Sequence, residues 1–157
     1  MPIKRFLIRC PEFEFIRESF HYDSRMTDIG KLILRLGVAI LLAFHGISKI
    51  TKGIAWMSGP LHAHHLPTFL GYGVYVAEVV APILLIVGIF TRPAALVIAF
   101  ELSMALFLVV GAKTLAIAPQ TGALGGELQL LYIFSALAIV FLGSGRFALL
   151  KGRGRWD

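Results

Sequence analysis

Cysteine is almost absent from this chain of 157 residues: Cys10 is the only one. That excludes an internal disulfide, a Cys-x-x-Cys redox pair and any cysteine-ligated zinc or iron–sulfur centre built within the chain. Charge is scarce as well. Only 15% of the residues are Asp, Glu, Lys or Arg, against about a quarter in an ordinary soluble domain. There is no glycine-rich nucleotide fingerprint and no flavin or haem motif, so any electrons handled here are carried by another molecule. The N-terminal stretch has neither the continuous apolar core nor the small-residue cleavage site of a secretory signal. No internal repeat stands out.

What is present is apolar. Hydrophobic residues make up 57% of the chain and the mean hydropathy is +0.81, which places it among integral membrane proteins. The 15 Lys and Arg exceed the 9 Asp and Glu, for a net charge of +6. These basic residues gather at the ends of apolar runs rather than in a stripe interleaved with aromatics. They therefore read as topology signals and not as a nucleic-acid surface.

The pattern predicts an all-α, integral membrane four-helix bundle with antiparallel up-down spans. Residues 1–28 form a mixed-charge cytoplasmic segment. In it Phe6, Leu7, Phe13, Phe15, Ile16 and Phe20 can line one face of a short interfacial helix, with Pro11 interrupting any single long helix; a partly ordered tail is the alternative. Residues 29–150 hold the four spans and residues 151–157 a basic cytoplasmic tail. The first span covers about 29–50, with Lys31 and Arg35 snorkelling to the headgroups. A connection over 51–72 places Trp56 and Tyr72 in an interfacial aromatic belt. The second span, about 73–90, contains Pro82, whose ring clashes with the carbonyl four residues back, that of Glu78. Thr91-Arg92-Pro93 makes a tight turn into a third span over 94–110, with Glu101 at its middle. After a Gly-rich loop, Glu127 opens a fourth span that ends near Leu142.

Ionisable groups inside these spans are the candidate site. His45 and Lys49 are four residues apart and share a helix face, and charges in lipid normally face a bundle interior or a wet cavity. Glu78, Glu101 and Glu127 are the available counter-charges. Lys49 is expected to pair with Glu78 or Glu127. His45, Lys49, Glu78 and Glu127 are the candidate proton-relay or ligand-contact residues, and His45, Lys49 and Glu78 the candidate cofactor contacts. Glu101 is expected below that layer, neutral and donating one hydrogen bond across the bundle. His62, His64 and His65 supply imidazoles of the kind that bind copper, zinc or iron. Plainer readings stand beside these: His45 and Lys49 as membrane-edge residues, Glu127 as a favourable charge in a helix's first turn, the three histidines as surface residues.

Three runs carry a family resemblance. They are Arg35-Leu36-Gly37 with Phe44-His45-Gly46-Ile47-Ser48-Lys49, Glu78 through Gly88-Ile89-Phe90-Thr91-Arg92, and Gly125-Gly126-Glu127. Over residues 29–150 the chain resembles the DoxX family of small four-span membrane proteins, which includes the small-subunit type associated with thiosulfate:quinone oxidoreductase. The resemblance implies an inner-membrane bundle near quinone chemistry or in complex with a soluble redox partner. Two functional readings stay open. One is a membrane subunit of a redox system, binding a quinone or similar lipophilic molecule in the outer half of the bundle. The other is a non-catalytic anchor or assembly subunit, as a homo-oligomer or with a partner; a small transporter is a third class.

Placing both termini and the Arg92 turn on one side collects 12 of the 15 basic residues there and leaves Lys49, Lys52 and Lys113 opposite. By the positive-inside bias both termini are then cytoplasmic. Reporter fusions should therefore place the His62–His65 loop and the C-terminal tail on opposite sides. Finding both on one side rejects this topology.

Overall fold

The computed structural model describes residues 11–119, 121–149, 154 and 156, with side chains from residue 24 onward. The candidate interfacial face at Phe6 to Phe20 and most of the basic tail lie outside the described side chains. Helix α1 runs unbroken over Pro11–Lys52. Pro11 stands at the first described position of this helix, where its missing N–H costs nothing because a first-turn residue has no intrahelical partner for it. Residue 28, the expected boundary between the N-terminal segment and the first span, lies within this helix. A connection follows with a short helix α2, Ser58–Ala63.

The second span is composite: α3 (Gly73–Tyr75), a π turn over Val76–Val80 and α4 (Ala81–Val87). The Ala81 N–H bonds to the Val76 carbonyl, five residues back. Pro82 explains the slip, since it has no N–H to offer the Glu78 carbonyl. Helix α4 ends at Gly88, with φ +76°, a conformation glycine adopts without steric cost. Phe90 is also left-handed. Thr91, Arg92 and Pro93 are the first turn of α5 (Thr91–Ala105), so the tight turn precedes them and falls at residues 88–90. Helix α5 continues through a π turn, Leu106–Val110, and a 3-10 turn, Gly111–Leu115. The loop beyond it holds one isolated antiparallel bridge, Ile117 to Leu124. Helix α6, Glu127–Leu142, closes the bundle.

Three helical stretches, Ser24–Lys52, Thr68–Val87 and Thr91–Leu115, are long and apolar enough to cross a membrane. Helix α6 has 16 residues, about 24 Å at the usual rise, which is short of the hydrocarbon thickness of about 30 Å. The architecture is nonetheless an all-α four-helix bundle. Its core alternates small residues (Ala39, Ala81, Ala95, Ala99, Ala136) with Leu42, Leu85, Ile98 and Ile139. Small residues let helix backbones approach closely where no hydrophobic effect drives them together. Ile33, Leu41, Phe44, Phe100, Phe134 and Phe141 point outward, as lipid-facing residues should.

Arg35 does not snorkel. It is 1% exposed and donates to the carbonyls of Ser144 (3.0 Å) and Phe147 (3.2 Å). Gly143 and Gly145, both with positive φ, turn the chain after α6 so that these carbonyls come back over the end of the bundle. Asp28 accepts from the Arg146 amide, and the Leu149 amide bonds to the Val87 carbonyl. The C-terminal segment is thereby held to α1 and α4. A hydrogen bond from a charged donor contributes about 1.5–3 kcal/mol, and its loss leaves buried acceptors unmatched. Arg35→Met should lower the unfolding free energy of the detergent-solubilised protein by about 3 kcal/mol and speed proteolysis near Arg146; unchanged stability and cleavage would contradict this role.

Candidate functional site

The site starts from a backbone defect. With Pro82 unable to donate, the Glu78 carbonyl loses its ordinary partner and faces α1 at Gly46. A Cβ at residue 46 would collide with the Glu78 carbonyl oxygen and carbon and with Val79. Only glycine admits α1 this close. Lys49 lies three residues on, on the same face of α1, and its Nζ donates to Glu78 Oε1 at 2.5 Å. Of the two glutamates expected as partner, Glu78 takes the role. It is 3% exposed, and its other oxygen, Oε2, is buried without a hydrogen-bond partner among the described residues.

Other groups converge on the pair. The Tyr75 hydroxyl bonds to the Lys49 carbonyl. The Trp56 ring centroid is 6.0 Å from Lys49 Nζ, within the range of cation–π attraction. His45 Nδ1 is 3.2 Å from the Leu41 carbonyl; with the proton on Nδ1 for that bond, Nε2 is left as an acceptor. Tyr132 of α6 meets the His45 ring edge-on at 6.3 Å. His45, Lys49, Trp56, Glu78, Gln129 and Tyr132 line a cavity of about 140 Å³. A wider cleft of about 500 Å³, lined by Phe44, Ser48, Lys52 and Gly53, shares His45, Lys49 and Trp56 with it.

Glu127 stands apart from this group. It is exposed, and its Oε2 accepts from the Leu124 amide at 3.1 Å, tying the loop to the start of α6. His62, His64 and His65 are exposed, and the His64 ring lies against Phe107. Among the described residues no three His, Cys, Asp or Glu side chains gather as a metal-binding group; the metal-ligand reading of the three histidines has no geometric support there. Glu101 departs from expectation in one respect: among the described residues its Oε2 is buried without the cross-bundle hydrogen bond anticipated for it. Gln129 and Tyr132 were not anticipated as site residues. Their signal is a pair of polar positions three apart on a mostly apolar helix, which share one face.

The DoxX family model matches residues 30–111, which include Arg35, Gly46, Lys49, Glu78 and Glu101. The chain belongs to the DoxX family. This DoxX protein is also 41% identical over 117 residues to a Haemophilus influenzae protein described as uncharacterized, a match covering 74% of this chain and 84% of that one. No solved structure matches.

Removing one partner of a buried ion pair strands the other charge and costs about 3–5 kcal/mol, whereas an exposed pair is worth at most about 1. Lys49→Met and Glu78→Gln should each destabilise the solubilised DoxX chain by about 3 kcal/mol, with the double variant recovering part of the loss. Glu127→Gln should cost no more than about 1 kcal/mol and add independently to Lys49→Met. Additive Lys49 and Glu78 losses in chemical unfolding would mean that the two side chains do not interact.

Proposed function

We propose that this DoxX protein is an inner-membrane subunit of a redox system, with both termini in the cytoplasm, and that it binds a quinone or similar lipophilic carbonyl compound beside Lys49. The observation that carries the reading is the half-buried Lys49–Glu78 pair at the junction of a small polar cavity and a larger cleft. The small cavity, about 140 Å³, is below the roughly 300–1,000 Å³ of ordinary ligand pockets. The cleft, about 500 Å³, is not. Phe44 and Trp56 give it aromatic walls, while His45 and Lys49 give it hydrogen-bonding groups at one end, a combination suited to a ring with a carbonyl edge.

A bound quinone would supply two-electron, two-proton redox capacity, with reducing equivalents from a soluble partner. The residues of the chain handle position and protons. Lys49 Nζ donates toward a carbonyl oxygen, and Glu78 holds that ammonium in place. Glu78 Oε2, without a partner of its own, is the open position for a proton moving between the small cavity and Lys49. His45 supplies a second group that can exchange a proton at Nε2.

The contact between Gly46 and the Glu78 backbone favours a second reading, in which the ion pair fixes helix register in a non-catalytic anchor or assembly subunit. Binding separates the two. In a Trp156→Phe background, Trp56 is the single reporter, since the chain has two tryptophans. A short-chain quinone should quench it saturably, and His45→Ala should weaken binding about tenfold, the loss of one good hydrogen bond at about 1.4 kcal/mol. Absence of saturable quenching, or affinity unchanged by His45→Ala, removes the quinone reading and leaves the anchor.

A further inference from the structure

A separate apolar cavity lies against the third span, next to the small polar one. It measures about 450 Å³ and is bounded by α2, the second span and the third, with Leu61, Val74, Phe100, Met104 and Leu108 among its walls. Ala105 and Val109 of the third span line both this cavity and the small polar one. Glu101 is its one ionisable lining residue. Val76, Val97 and Phe100 at its rim are exposed, so the mouth opens through the side of the bundle, where lipid lies.

Charge balance says what such a cavity takes. Lys49 is already paired with Glu78, and Glu101 makes no ion pair or hydrogen bond among the described residues, with Oε2 buried. An unpaired carboxylate is costly in apolar surroundings. It needs either a proton or a cation. The wall around it is apolar throughout, and Met57 and Met104 supply side chains that adapt to varied shapes. We propose that this cavity binds an apolar organic cation, entering from the lipid side, with the Glu101 carboxylate as counter-charge and one proton leaving Glu101 as the cation arrives.

The proposal is independent of a quinone beside Lys49. Of the charged groups that act on Glu101, Glu78 adds to the attraction for a cation and Lys49 opposes it. Tetraphenylphosphonium is a suitable probe because its charge does not titrate, and triphenylphosphine oxide is its uncharged counterpart.

Titrated by calorimetry into the full-length protein in detergent, the cation should bind at least tenfold more tightly than the oxide. Its affinity should fall as pH is lowered, by up to about tenfold per pH unit, because protonation removes the counter-charge. Heats in buffers of different ionisation enthalpy should report release of about one proton per cation. Glu101→Gln should weaken binding at least tenfold and abolish both the pH dependence and the proton release, while Glu101→Asp retains them. Val97→Trp fills the mouth, leaves the carboxyl intact and should also weaken binding tenfold, which decides the matter should Glu101→Gln fail to fold. Equal binding of the uncharged oxide, pH-independent affinity in the unmodified protein, or full affinity in Val97→Trp overturns the proposal. Quinone quenching of Trp56 should persist in Glu101→Gln, so failure of either site is read separately.

Discussion

The approach of α1 to the second span at Gly46 is the contact on which the polar end of this bundle depends. Pro82 leaves the Glu78 carbonyl without its helical donor, and the chain responds with a π turn over Val76–Val80. A side chain at residue 46 would hold α1 away from that carbonyl. Because the residue is glycine, the two backbones close, and Lys49 arrives within hydrogen-bond distance of the Glu78 carboxylate. The ion pair is thus a consequence of backbone proximity. Coulomb attraction alone would not have selected it, since desolvating two charges offsets much of what their attraction returns.

The opposite end is fastened by a different device. Arg35 satisfies carbonyls of a segment more than a hundred residues away, and Asp28 anchors the amide of Arg146. Helix α6, too short to match the other spans, is continued by this folded segment, so the end of the bundle is completed by loop backbone. Non-helical backbone at such a position is tolerable because its polar groups meet protein partners. Here a buried guanidinium is the main one.

Between the two ends, the carboxyls of Glu78 and Glu101 occupy different chambers that share the Ala105 and Val109 wall. Glu78 is compensated by Lys49 and opens toward polar groups. Glu101 is uncompensated and opens toward apolar ones. Two acids on neighbouring spans thereby meet different surroundings, one tied to a fixed cation and the other set in an apolar wall.

The sequence by itself determined the class of the molecule, the positions of the spans, the coincidence of Glu78 with the Pro82 defect and the need of Lys49 for a counter-charge. These follow from hydropathy, from the geometry of proline and from the cost of charge in lipid, all of which are local. Tertiary structure alone decided that Glu78 and not Glu127 answers Lys49, that Arg35 turns inward instead of snorkelling, and that Gln129 and Tyr132 join the site. It also put Glu101 on an apolar cavity within the field of the ion pair. Helical periodicity fixes which residues share a face of one helix, whereas the partner across a bundle depends on how far each helix is rotated and how closely it packs. In this chain that last quantity is set by the missing side chain of Gly46, which becomes informative only when the backbone opposite it is known.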